Sequence, residues 1–128
     1  MSMGNKNKRP VYLNLFKLRL PVTGVVSIVH RITGLFLVLL IPPAMYLLQL
    51  SLQNREAFDG IVSWLSALPG RLIVFVILWL FLQHFFSGVR HLLQDIDVGV
   101  GKSASRLSAR LTFITSAVIA AVIGVRLL

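Results

Sequence analysis

The sequence predicts an all-α integral membrane protein with three transmembrane helices. Of its 128 residues, 56% are hydrophobic and only 13% are charged, whereas about 25% of the residues in an ordinary soluble domain are charged. The charged residues cluster between long uncharged segments and do not recur along helix faces. This distribution is typical of a membrane protein and disfavours the soluble classes of protein.

Three uncharged segments are the candidate membrane spans. At ~1.5 Å per residue, Ile32–Asn54 is long enough to cross the ~30 Å hydrocarbon core. Leu72–Val89 is shorter, and Leu111–Val125 is extended by flanking arginines whose side chains can reach the interface. We therefore expect a single domain over residues 1–128, with helices at about residues 22–52, 64–95 and 104–128.

The positive charges predict the orientation of the chain. The formal net charge is +9, and the N-terminal segment, residues 1–21, contains Lys and Arg but no acidic residue. The charges of the first connection, QNREAFDG with its flanking Arg71, cancel. Both this connection and the second one, DIDVGVGKSASRLS, hold residues typical of loops, so we expect both to be loops, and the second is basic towards its end. We expect the N-terminus and the second connection to be cytoplasmic and the C-terminus to lie outside. The positive charge is assigned to orientation and lipid headgroups, not to nucleic acid.

Several classes of chemistry are excluded or disfavoured by what the sequence lacks. It contains no cysteine, which excludes disulfides, thiolate metal sites and thiol nucleophiles. It contains no phosphate-binding loop, dinucleotide fingerprint or metalloprotease motif. A signal peptide is not expected, because the basic region is long and the first apolar segment has the full length of a span.

Polar residues gather at the start of the first helix, in SIVHRITG. Ser27, His30, Arg31 and Gly34 are spaced by three, one and three residues, so they share one helix face. Arg31 alone could serve as an orientation anchor that contacts lipid headgroups. The serine and histidine beside it favour a small functional pocket at the cytoplasmic interface.

A second polar stripe lies at the end of the second helix, in HFFSGVRHLLQD. His84, Ser87, Gly88, His91 and Asp95 follow one helix face. His84 lies within the hydrocarbon region, where a neutral imidazole needs a partner. That partner is either an interhelical hydrogen bond or the iron of a haem. Gly88 would let a flat macrocycle approach the backbone, and a second axial ligand would come from another chain, because His84 and His91 project from the same side.

Two further features concern packing. Arg90 lies off the histidine stripe, and we expect a salt bridge with Asp97 or a contact with headgroups. Ser116, Ala120 and Gly124 recur at every fourth residue of the third helix, which predicts a seam of small residues for close helix packing.

These motifs together resemble a known family. The segments are Arg9-Pro10 with Leu13, Ser27-His30-Arg31-Gly34, and His84-Gly88-Arg90-His91-Asp95. They resemble the cytochrome b556 subunits, the larger membrane anchors of succinate dehydrogenase in respiratory Complex II. The resemblance covers most of the chain, and no signature position departs from the family pattern.

The resemblance implies a set of roles and partners. His84 would be an axial ligand of a haem b shared with a second small membrane-anchor subunit. Ser27 and Arg31 would bind ubiquinone, and His30, Arg31 and His91 would contact the haem propionates. Electrons would come from an iron–sulfur subunit and, before it, from a flavoprotein subunit that carries the succinate-oxidising site. The implied location is the bacterial inner membrane, with the chain crossing the bilayer several times.

Two alternatives stay open at this point. A fumarate reductase anchor would use the same fold in the opposite direction of electron flow, and a purely structural anchor would bind no cofactor. A small multidrug transporter is disfavoured, because no acidic residue lies within a span to couple protons.

Overall fold

Residues 20–127 fold into four helices joined by short connections. A computed structural model describes residues 20–127, with side chains for residues 20–126. The helices are α1 (Val22–Ser51), α2 (Arg55–Ser66), α3 (Leu68–Asp95) and α4 (Lys102–Leu127), and the described residues contain no β-strand. Three of them, α1, α3 and α4, are long and apolar enough to cross a membrane. The all-α class is therefore confirmed for the described residues, and three helices have the length and apolar character that a membrane span requires.

Part of the predicted N-terminal segment cannot be compared with the structure. Residues 1–19, which include Lys6, Lys8, Arg9, Lys17 and Arg19, lie outside the described residues. The Arg9-Pro10-Leu13 motif lies there as well.

The connection between the first two spans is a helix, and the expectation of a loop was wrong. The Asn54 side chain caps α2 by accepting a hydrogen bond from the Ala57 backbone N–H at 2.8 Å. An exposed ion pair of 2.9 Å joins Arg55 to Asp59 one turn later. The polar face of α2 carries Arg55, Glu56, Asp59, Gly60, Ser63 and Ser66, and its apolar face carries Ala57, Phe58, Ile61, Val62, Trp64 and Leu65. This segregation makes α2 an amphipathic helix, too short to span a bilayer.

A sharp turn separates α2 from α3, so the second span begins later than the expected residue 64. Ala67 has an extended backbone, and Pro69 lies in the first turn of α3, where a missing N–H costs nothing. A Cβ on the buried Gly70 would collide with the backbone of Trp64 and Leu65. Glycine at this position allows the two helices to approach within backbone contact.

α3 lies between α1 and α4, which also contact each other. The fully buried side chains of the described residues are small or polar and include Val26, Thr33, Gln83, Ser87 and Ser116. Most large hydrophobic side chains point outwards, such as Leu35 at 60% and Phe81 at 55% exposure. Lipid can cover the large side chains, while small and polar residues let the helices approach closely.

The α3–α4 interface follows the predicted small-residue seam. Ser116, Ala120 and Gly124 are all buried, which confirms the seam. The Ser116 hydroxyl donates to Gln83 Oε1, and Gln83 Nε2 donates to Ser87 Oγ at 3.0 Å. Each buried side-chain polar group in this interface therefore has a partner, as an apolar surrounding requires.

Arg90 extends this polar interface, and the expected contacts with Asp97 or headgroups were wrong. Its side chain is only 5% exposed. Nε donates to Ser108 Oγ at 3.1 Å, and Nη2 donates to Ser105 Oγ at 3.0 Å and to the Ser105 carbonyl at 3.3 Å. The guanidinium is held by hydroxyls of α4, because α4 begins at Lys102 and already presents its first two turns to α3.

The second connection is shorter than predicted. Residues 96–101 join α3 to α4, with positive φ angles at Asp97 (61°) and Gly99 (74°). The remaining KSASRLS sequence, expected as part of the loop, is the start of α4. Serine is common in loops, but Ser105 and Ser108 of this segment supply hydroxyls to the helix interface.

Enlarging Gly124 should destabilise the bundle. A Cβ there would lie 2.6 Å from Phe75 Cε2, and overpacking of this kind costs about 1–3 kcal/mol. We expect Gly124→Ala to lower the thermal midpoint of the detergent-purified protein. Gly60→Ala on α2 is the matched control, because nothing lies within 4 Å of its Cβ and alanine favours a helix by about 1 kcal/mol. Equal midpoints for the two variants would contradict the close packing at Gly124.

Candidate functional site

All three histidines of the sequence meet where the start of α1 crosses the end of α3. The rings of His30 and His84 stack with their centroids 4.2 Å apart and an interplanar angle of 9°. The His91 ring lies 5.2 Å from His30 at an angle of 56°. We call these residues the histidine cluster. The polar motifs of the first and second spans therefore form one site, and α1 and α3 run antiparallel.

Each helix offers a glycine to the histidine of the other. A Cβ on Gly34 of α1 would lie 2.8 Å from His84 Cε1, closer than real Cβ contacts. A Cβ on Gly88 of α3 would lie 3.3 Å from His30 Nε2. The spacing of four residues within each His-x-x-x-Gly pair puts both residues on one face, so the two pairs interlock. The space beside Gly88 thus holds the His30 ring in this structure, and a macrocycle against this glycine stays a prediction.

Hydrogen bonding determines which nitrogen of His84 carries the proton. His84 Nδ1 lies 3.1 Å from the carbonyl oxygen of His30. A carbonyl oxygen can only accept, so Nδ1 must donate, and in the neutral ring Nε2 then carries the lone pair. Thr33 Oγ1 lies 3.4 Å from the same Nδ1. His84 therefore makes the interhelical hydrogen bond considered from the sequence, and it does so through one nitrogen only.

The second nitrogen of His84 is left with its lone pair. Nε2 makes no hydrogen bond within residues 20–126 and is not a buried unsatisfied atom. His84 as a whole is half-buried in this chain. An imidazole with Nδ1–H on a backbone carbonyl and Nε2 unpaired is the usual arrangement of a histidine that binds a metal.

The stacked rings limit how a metal can bind. Face-to-face rings 4.2 Å apart leave no room for a macrocycle between His30 and His84, so these two cannot be opposite axial ligands of one iron. Residues 20–126 also contain no group of three or more His, Cys, Asp or Glu side chains able to hold a free metal ion. The cluster can supply one ligand to a metal that has other ligands of its own.

Ser27 and Arg31 flank the histidine cluster on α1. Ser27 is half-buried and Arg31 is exposed. Neither side chain makes a hydrogen bond or ion pair in the described part of the chain. Ser27 lies one turn before His30, and Arg31 directly follows His30. A hydroxyl and a guanidinium that can donate hydrogen bonds therefore lie beside the imidazoles.

An apolar groove continues from the cluster towards the middle of the bundle. It has a volume of about 330 Å³ and is lined only by hydrophobic residues of α1 and α3, among them Phe36, Leu40, Ile73, Ile77 and Leu80. Leu80 precedes His84 by one helical turn. The site is therefore polar at the helix ends and apolar directly below.

Sequence reasoning missed Thr33. Its side chain is 2% exposed, and its hydroxyl donates to the Val29 or His30 carbonyl at 2.8 and 3.0 Å. A threonine within a helix commonly makes such local bonds, so it carries no signal on its own. The available signal was its position, three residues after His30 and directly before Gly34.

Comparison with known proteins identifies the family. A model of the succinate dehydrogenase/fumarate reductase transmembrane subunit family matches residues 5–125. The chain is 33% identical over 124 residues to the succinate dehydrogenase cytochrome b556 subunit of Coxiella burnetii, covering 92% of this chain and 95% of that protein. It is 32% identical over 120 residues to the subunit of the same name from Paracoccus denitrificans, covering 91% and 89%. It is also 35% identical over 95 residues to the succinate dehydrogenase cytochrome b560 subunit of Reclinomonas americana, covering 68% and 64%. With a match over most of its length and both polar motifs joined in one site, the chain belongs to the succinate dehydrogenase/fumarate reductase transmembrane subunit family.

Proposed function

We propose that this chain is the membrane-anchor cytochrome b subunit of a succinate:quinone oxidoreductase. In this role it binds haem b through His84 and helps to form the site at which ubiquinone is reduced. The observation that carries the proposal is the state of His84, whose Nδ1–H bonds a backbone carbonyl while Nε2 keeps its lone pair. The names of the similar proteins, which are cytochrome b subunits of succinate dehydrogenase, support the same conclusion.

The residues present fit a haem. His84 Nε2 would bind the iron, and the apolar groove between α1 and α3, which reaches Leu80 one helical turn before His84, suits a hydrophobic macrocycle or a neighbouring helix. A further ligand for the iron would come from the second membrane-anchor subunit, because the His30 ring is stacked on His84 and leaves no space between them. A haem bound here supplies a one-electron carrier. His30, Arg31 and His91 lie around His84 and would bind the propionates through N–H groups.

Ser27 and Arg31 would bind the quinone. Both are side-chain donors with no partner in the described residues, and both lie at the end of α1 that also carries the histidine cluster. The Ser27 hydroxyl would donate to a quinone carbonyl oxygen. The Arg31 guanidinium would stabilise the negative charge that develops on this oxygen during reduction.

The fold suggests how the chain sits in the membrane. The histidine cluster and the basic start of α4, with Lys102, Arg106 and Arg110, belong to the end of the bundle that we place on the cytoplasmic side. The iron–sulfur and flavoprotein subunits would bind there and deliver electrons from succinate. The amphipathic α2 connects the end of α1 to the start of α3, at the end of the bundle away from the histidine cluster. It would lie along the outer surface of a bacterial inner membrane.

A fumarate reductase anchor is the second candidate, because the matching family model includes such subunits. The named relatives are all succinate dehydrogenase subunits, which favours succinate oxidation. A purely structural anchor is disfavoured by the unpaired Nε2 of His84. Packing alone does not require that one ring nitrogen of a histidine be left without a hydrogen-bond partner.

Replacing His84 should remove the haem. We expect the purified His84→Leu complex to lack the sharp b-type band of the reduced-minus-oxidised visible spectrum, because no other described residue offers an equivalent nitrogen. Gln49→Leu is the control, a polar-to-leucine change at an exposed position near the other end of α1. An assembled His84→Leu complex with an unchanged band would rule out His84 as the ligand.

Removing the Ser27 hydroxyl should weaken quinone reduction and spare succinate oxidation. One lost hydrogen bond of about 1.4 kcal/mol corresponds to a roughly tenfold lower kcat/KM for ubiquinone. Succinate oxidation measured with an artificial acceptor should stay at the wild-type rate in Ser27→Ala. Ser51→Ala, whose hydroxyl bonds only the Leu48 carbonyl at the far end of α1, should change neither rate. Equal loss of both activities in Ser27→Ala would indicate a role in assembly and not in quinone binding.

A further inference from the structure

We propose that Thr33 is a positioning residue for His84. Together with the backbone carbonyl of His30, it holds the imidazole with the proton on Nδ1. Nε2 is then the metal-binding atom, and it becomes a stronger electron-pair donor to the metal. This inference rests on the haem ligation proposed above. It concerns a residue that lies within the first polar motif but is not one of its signature positions.

The hydroxyl of Thr33 can present only a lone pair to His84. Oγ1 lies 2.8 Å from the Val29 carbonyl and 3.0 Å from the His30 carbonyl, so its single proton is donated within α1. Towards His84 Nδ1, 3.4 Å away, the oxygen must therefore accept. The Nδ1–H group thus faces two acceptors at once, the Thr33 hydroxyl and the His30 carbonyl at 3.1 Å.

Two acceptors behind Nδ1–H affect both orientation and electronics. They exclude the other tautomer, in which Nδ1 would carry a lone pair against two oxygens. They also withdraw the Nδ1 proton slightly from the ring, which raises the basicity of Nε2. A more basic ligand stabilises ferric iron more than ferrous iron and lowers the midpoint potential of the haem.

Packing holds Thr33 and the ring in this arrangement. Thr33 is 2% exposed, and its branched Cβ restricts the rotation of the side chain. One edge of the His84 ring lies against the backbone of α1 at Gly34, where a Cβ would be too close. One face of the ring is stacked on His30. The contact between Oγ1 and Nδ1 is therefore built into the α1–α3 interface.

The test compares Thr33→Val, which removes the hydroxyl and keeps the shape, with Thr33→Ser, which keeps the hydroxyl. Thr112→Val on α4 is the matched control, because Thr112 is also buried and its hydroxyl makes the same kind of bond, to the Ala109 carbonyl at 2.8 Å. Haem content and midpoint potential are measured by redox titration of the b-type band in the whole purified complex. His84→Leu is included in the same series.

Thr33→Val should weaken haem binding about tenfold, the lower end of the effect of losing such a supporting hydrogen bond. If the loss falls on the ferric form, the midpoint potential rises by about 59 mV. Thr33→Ser and Thr112→Val should keep the wild-type potential. The proposal is overturned if Thr33→Val has the wild-type potential, or if Thr33→Ser shifts as far as Thr33→Val.

The experiments test the proposed haem ligation and the proposed role of Thr33 separately. A b-type band retained in His84→Leu would remove the proposed haem ligation itself. A band lost in His84→Leu together with an unshifted Thr33→Val would remove only the role of Thr33.

A second pair of variants covers the case in which Thr33→Val does not assemble. Gly34→Ala places a Cβ 2.8 Å from His84 Cε1 and must push the ring away from both acceptors. Its control, Gly24→Ala in the same helix, meets nothing closer than 3.8 Å. We expect an upward shift of the potential in Gly34→Ala alone. An unshifted potential, or failure of both Thr33→Val and Gly34→Ala to assemble, would assign this region to helix packing and overturn the proposal.

Discussion

The close approach of α1 and α3 is the constraint on which the site depends. It exists because each helix presents a histidine to the glycine of the other, and a methyl group at Gly34 would already be too close to the His84 ring. This interlock fixes both the separation of the two helices and their relative height along the bundle. Once these are fixed, the stacking of His30 on His84 and the hydrogen bond from Nδ1 to the His30 carbonyl follow. The position of the site is thus determined by the smallest side chains in it.

The face of α3 that packs against α4 is subject to a different physical constraint. Gln83, Ser87 and Arg90 are buried there, and each is satisfied by a hydroxyl or carbonyl group, largely from α4. In a bilayer, apolar burial does not drive helices together, so packing and interhelical hydrogen bonds must do so. Because these bonds are directional, they set the rotation of α3 about its own axis. The rotation that buries Gln83 against α4 is also the rotation that turns His84 towards α1.

Much of this arrangement was predictable from the sequence, and the remainder has identifiable causes. The three spans follow from uncharged length, and the joining of the two polar motifs follows from their position at neighbouring helix ends. The amphipathic α2 was missed, because a twelve-residue helix that contains Asp and Gly and follows an Asn resembles a loop in composition. The partners of Arg90 were missed because serine is common in loops, and only the folded start of α4 shows that Ser105 and Ser108 face α3. Thr33 has no distinctive spacing, and its role depends on a distance between two helices.

The hydrogen bond between His84 and the backbone of His30 has a consequence for amino-acid substitutions at position 30. The acceptor belongs to the main chain, so no side-chain substitution at position 30 removes it as long as α1 stays helical. Variation at this position would alter the stacked ring and the space over Gly88 while leaving the tautomer of His84 unchanged. The acceptor that fixes the Nδ1 proton of His84 is therefore insensitive to side-chain substitution, and substitutions in this region act through the residues that shape the space around the ring.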